Sequence, residues 1–160
     1  MSLIRIGTTG QYQGISFEVI GRIQHFFKEG YRNHWYVITG NNEAMWLGDW
    51  AGNYSFLKEV PRRSTDKIAG SKPGDKLSIA AIDFQVELLD EETETYIEGE
   101  VPESNSFQQG FITIELLKPD TFGMAILNIY NKNNIQAFVG QYQHLEDLQL
   151  QNLREHHEWI

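Results

Sequence analysis

Period-two alternation runs through most of this chain and limits its fold more than any other feature. Ile15-Ser16-Phe17-Glu18-Val19 sets Ile15, Phe17 and Val19 on one side and Ser16 and Glu18 on the other, the pattern of a half-buried strand. Trp35-Tyr36-Val37-Ile38-Thr39 is aromatic and β-branched, Gly40-Asn41-Asn42 behind it carries turn chemistry, and Ala44-Met45-Trp46-Leu47 reads as the returning strand. Stretches 79–89, 95–101, 111–117, 124–130 and 135–141 alternate in the same way, and Asn131-Lys132-Asn133-Asn134 is a hairpin turn because Asn tolerates positive φ. Helical spacing is confined to about 145–159, through Leu145, Leu148 and Leu153, where Leu148-Gln149-Leu150 alternation competes with it. The expectation is a mainly β fold: antiparallel strands in two similar halves forming a barrel or sandwich-like β domain, with a short C-terminal helix or tail.

The two halves come from an internal echo. Gly7 is followed ten residues on by Phe17-Glu18-Val19, and Gly74 is followed ten residues on by Phe84-Gln85-Val86, an offset of 67 that also matches Gly14 to Ala81. In each case a glycine turn feeds a strand whose Phe-x-Val face looks inward. Met45-Trp46-Leu47 up to Phe56 resembles Ala125-Ile126-Leu127 up to Phe138, with the offset drifted to about 80 by an acidic insert. One domain over 1–160 is expected, an internal duplication of about 4–60 and 71–143 with a C-terminal extension 144–160. The linker would run through Val60-Pro61-Arg62-Arg63 to Pro73-Gly74. Halves of this size bury too little to stand alone comfortably, so they should share a core or pack closely.

Composition removes whole classes of function. A chain of 160 residues without cysteine has no disulfide, thiolate metal site or cysteine nucleophile, and suits a reducing compartment. No apolar run approaches the ~18 residues of a membrane span, and Met1-Ser2-Leu3-Ile4-Arg5 lacks a signal peptide's apolar stretch. A cytoplasmic protein with no direct membrane insertion is expected. Net charge is −9, divided as +3 over residues 1–80 and −12 over 81–160, so nucleic acid is not an expected partner. Eight acids and no base lie between Glu87 and Glu103; such a run reads first as a solvated face and second as a patch for a basic partner.

Gly7, Gly14, Phe17-Glu18-Val19-Ile20-Gly21-Arg22, Trp35-Tyr36-Val37, Trp46-Leu47 and Gly52 together resemble the bacterial family catalogued as domain of unknown function 4178. Gly99-Glu100-Val101-Pro102 and Phe138-Val139-Gly140 resemble later stretches of it. The resemblance implies a β-rich cytoplasmic bacterial protein with no established enzymatic activity. It also implies neighbours of the membrane-stress, phage-shock type and polyamine-synthase-like enzymes. Relatives often set an acid beside the tryptophan of the third strand; His34-Trp35-Tyr36-Val37 has none, so no role of that acid transfers.

Catalytic and metal patterns are sparse. No serine stands in a Gly-x-Ser-x-Gly elbow, no His-Glu-x-x-His occurs, and Gly7-Thr8-Thr9-Gly10 feeds a strand and not a helix. Glu155-His156-His157-Glu158 is the densest His and carboxylate set, but adjacent side chains point apart and the reading is a solvated tail. No catalytic residue, metal site or cofactor is assigned. What remains is aromatic: Trp46-Leu47-Gly48-Asp49-Trp50-Ala51-Gly52-Asn53-Tyr54. Read blandly it is a core strand ending in a turn. Read for function, Trp46, Trp50 and Tyr54 offer flat rings, and Asp49 and Asn53 offer hydrogen bonds, to a ligand or partner. The expected function is a non-catalytic binding or adaptor module making protein–protein contacts. The alternatives are a small-molecule-binding β-barrel or enzyme with a polar interior, and an architectural subunit.

Overall fold

The computed structural model describes residues 2–61, 70–102, 110–131 and 134–155. Eleven strands follow one another: β1 (Thr9–Tyr12), β2 (Ile15–Phe27), β3 (Gly30–Thr39), β4 (Ala44–Trp50), β5 (Asn53–Val60), β6 (Lys76–Ile79), β7 (Ile82–Glu91), β8 (Glu94–Gly99), β9 (Ile112–Leu117), β10 (Gly123–Asn131) and β11 (Asn134–Gln143). All pairings are antiparallel. The sheet order is β1-β2-β3-β4-β5-β11-β10-β9-β7-β6, with β8 added to the free edge of β2. The sheet does not close into a barrel; the alternative expected beside it, a sandwich-like β domain, fits. Within the described part of the 145–159 stretch, residues 145–155, the longer helix its leucines allow does not form. One 3₁₀ turn, Leu145–Leu148, ends in a left-handed Gln149, because Leu148 is drawn into the core and Gln151 pairs with Thr9.

Hydrogen bonding repeats along the chain at a fixed spacing. The strands β1 and β6, and the starts of β2 and β7, lie 67 residues apart. Gly7 N–H donates to Val19 O, and Gly74 N–H to Val86 O; Val19 N–H donates to Thr8 O, and Val86 N–H to Asp75 O. Gly7 and Gly74 have φ of +97° and +95°. A β-bulge interrupts β2 between Val19 and Gly21, and β7 between Val86 and Leu88. The two hairpin turns also match, with positive φ at Gln13-Gly14 and at Ala80-Ala81, the type I′ geometry that suits strand twist. The stretch 79–89, read as one strand, is therefore broken by a turn.

Three apolar clusters form among the described residues. Ile4, Phe17, Val19, Trp35, Val37, Leu47, Phe56 and Leu148 pack on one face of the first half. Ile79, Phe84, Val86, Ile114, Leu116, Ala125, Leu127 and Ala137 form the counterpart in the second. The third joins the halves through Ile23, Trp46, Leu57, Met124, Ile126 and Phe138. At the joint β5 pairs with β11 so closely that a Cβ on Gly140 would strike the Phe56 carbonyl. The described ends are clasped: Thr9 and Gln151 exchange backbone hydrogen bonds, and Arg154 N–H donates to Leu3 O at 2.8 Å. No helix among the described residues is long and apolar enough to cross a membrane.

Candidate functional site

The five residues proposed from the Trp46–Tyr54 cluster do not gather at one place, because alternation along β4 sends them to opposite faces. Trp46 is 3% exposed and sits in the joining core, its ring 4.9 Å from Tyr36 and 6.2 Å from Phe138. Trp50 shares that face, partly buried, with its ring 5.6 Å from His34 and under the Arg32 guanidinium at 5.3 Å. Asp49 points the other way and is buried. It accepts hydrogen bonds from Ser2 Oγ and, at 3.4 Å, from Trp35 Nε1, so it fastens the N-terminal segment to the sheet. Asn53 and Tyr54 lie beyond the Ala51-Gly52 turn and reach the surface.

Those two residues help line a groove of about 560 Å³ with Phe122, Tyr142, His144 and Glu146. Its lip carries the most exposed large apolar side chain among those described: Phe122, in the turn before β10, is 65% exposed and edge-on to His144 at 5.9 Å. A phenyl ring left in water at a concave site is informative, since isolated surface apolar atoms are normal but rings beside grooves mark contacts. Burial holds the Tyr54 hydroxyl above its ordinary pKa, with Asp49 adding to it. Burial and then Glu115 do the same for Tyr142. Both remain neutral donors. Phe122 carried no sequence signal, because a lone Phe after Asp-Thr reads as loop. A wider depression of about 690 Å³ over β1 and β2 is lined by Thr9, Gln11, Ser16 and Glu18 and presents no exposed ring.

The interior between the halves is polar at one end. His25 Nδ1 donates to Glu92 Oε2, and Thr95 Oγ1 donates to Glu92 Oε1 at 2.6 Å. Glu92 is 2% exposed, so this member of the acidic run is a core residue and not part of a solvated face. The His34 ring packs 5.4 Å from His25, and Arg32 lies 3.8 Å from Glu115 between the Phe27 and Trp50 rings. Thr113 donates to Asn128, and Tyr130 to Gln136, each at 2.9 Å. Desolvation lowers the pKa of both histidines, His34 the further because it has no carboxylate while His25 has Glu92. Burial likewise raises Glu115 against the pull of Arg32. The cavity lined by His25, His34, Asn128, Tyr130 and Gln136 holds only about 10 Å³, room for one water at most. Sequence reasoning could count the histidines but had no means of pairing His25 with a residue 67 positions away.

No set of three or more His, Asp or Glu among the described residues is arranged to hold a metal. The tail residues His156, His157 and Glu158 lie outside the described residues, as do Arg62, Arg63 and Glu103. Comparison with protein-family models, with curated proteins and with solved structures found no match.

Proposed function

We propose that this protein is a cytoplasmic, non-catalytic binding module whose groove at Tyr54, Asn53 and Phe122 takes a basic segment of a partner protein. The observation that carries this reading is Phe122, an exposed ring at the lip of a groove whose charged lining residue is Glu146. Aromatic rings with a carboxylate favour a lysine or arginine side chain, by cation–π attraction of ~0.5–2 kcal/mol and by charge. The net charge of −9 favours encounter with a basic segment. The filled interior lends no support to a ligand-holding barrel. The resemblance to the domain of unknown function 4178 family, kept as a proposal, assigns no role to these residues.

A peptide array probed with labelled full-length protein tests the reading. Wild type should select peptides that combine Lys or Arg with an apolar neighbour, and Phe122→Ala should lose them at unchanged thermal stability, since the ring is mostly in water. If wild type and Phe122→Ala bind the same peptides, or the selected set is not basic, the groove is not the working face.

A further inference from the structure

Register carries the recurrence past the first hairpins. Val19 opposes Val37 as Val86 opposes Leu116; Tyr36 opposes Trp46 as Glu115 opposes Ile126; Trp46 opposes Leu57 as Ile126 opposes Phe138. Leu57 thus corresponds to Phe138, and Glu59 to Gly140. At the joint, Leu57 pairs with Gly140 and Glu59 with Phe138, on either side of Lys58 and Val139. The joint therefore reads the same in both directions, as a two-fold contact requires.

On the same offset of 67, His25 corresponds to Glu92, and these two residues hydrogen-bond to each other. A residue that touches its own counterpart lies on the axis. The surroundings obey the same relation. Arg32 lies over the Trp50 ring at 5.3 Å, and its counterpart Phe111 packs on Tyr130, the counterpart of Trp50, at 4.8 Å. Phe111 packs on the His25 ring at 5.0 Å, and its counterpart Arg32 is within reach of the charge of Glu92, the counterpart of His25.

We propose that the face between the halves is a two-fold interface of one repeated unit, and that His25 and Glu92, meeting on its axis, commit the first half to the second. Two first halves would set imidazole against imidazole, with no carboxylate to accept the Nδ1 proton. Two second halves would set two buried carboxylates together, which cannot both stay ionised at that distance. Complementarity on the axis thus excludes pairing with the like half of a second copy, specificity obtained through a penalty on the wrong partner. The groups facing the pair are Thr95 from β8, His34 and Arg32 from β3, Phe111 before β9, and more distantly Tyr130, while the charges of Glu115 and Asp90 act on Arg32.

The test uses the full chain with His25→Glu, Glu92→His and the double variant, read at pH 7 by urea midpoint and by light-scattering mass. Each single variant should lose roughly 1–2 M in midpoint. The double variant, which reverses the pair, should regain most of that loss. Refolded together, the two single variants can satisfy both axis positions only by exchanging halves, so the mixture should yield a stable dimer that neither chain gives alone. A mixture whose mass and midpoint match the chains measured apart overturns the selection between halves. A double variant no better than the worse single overturns mutual recognition, and this outcome is readable even where neither single variant folds.

Discussion

Gly140 has no room for a side chain, since a Cβ would meet the carbonyl of Phe56 across the β5–β11 joint. Gly140→Ala should destabilise by ~1–3 kcal/mol through forced backbone shift, seen as a lower urea midpoint. Gly52→Ala, which meets nothing within 4 Å, should cost only the strain of its positive φ. His34 gives the pH dependence. Its folded pKa lies well below 6.5, through burial first and then the charges of His25 and Arg32. The unfolded chain takes up a proton near pH 6.5 that the folded chain refuses. Stability is therefore full above that pH and falls below it, by ~1.4 kcal/mol per pH unit for one proton. His25 shifts in the same direction and steepens the loss. His34→Gln should flatten the slope between pH 6.5 and 5 by one proton; an unchanged slope would place the titration elsewhere. At this scale the sequence offered Trp46, Asp49, Trp50, Asn53 and Tyr54 as one binding set, whereas Trp46 and Asp49 are buried and Asn53 and Tyr54 reach the surface. It hid Glu92, because one buried acid among eight has no mark in the text.

Strand-level reading succeeded where alternation is strict and failed where bends intervene. β2 was legible from Ile15 to Val19, but it runs on to Phe27, past a bulge that alternation cannot express. β8 was seen as a strand, yet its place beside β2 was not, since Gly21 only reveals its purpose when Glu100 is found pressed against it. The hairpins supply a prediction. Gln13-Gly14 and Ala80-Ala81 make the same turn, but Ala81 holds φ of +63° where Gly14 holds +78°. A left-handed alanine costs ~1–2 kcal/mol, partly offset in a glycine by its chain entropy. Ala81→Gly should therefore raise the unfolding midpoint, by less than ~1 kcal/mol, and Gly14→Ala should lower it. Ala81→Gly lowering the midpoint would show that the β6–β7 turn is held by something other than its own backbone preference.

Across the whole molecule, the joining core and the His25–Glu92 contact bind each half to the other. Unfolding should follow one transition, with tryptophan fluorescence from Trp35, Trp46 and Trp50 coinciding with hydrogen exchange of β9 and β10 amides in the other half. Separate midpoints would mean that each half folds on its own cluster. The offset of 67 read from the sequence is also the spacing of β1 from β6 and of the start of β2 from that of β7, because glycine turns and Phe-x-Val strands are local signals. That β5 and β11 join the two stretches edge to edge was not legible, since that pairing depends on residues 77 to 89 positions apart. The clasp of Leu3 to Arg154 and Thr9 to Gln151 has a mechanical consequence. Tension applied at the two described ends loads the Ser2–Asp49 and Arg154–Leu3 bonds first, then those of Arg5, Gly7 and Thr8 with Asn152, then the Thr9–Gln151 pair, peeling contacts one after another instead of shearing them together. Pulled from those ends, the domain should yield in small steps at low force, while tension applied along β5 and β11 would have to slide a whole ladder at once.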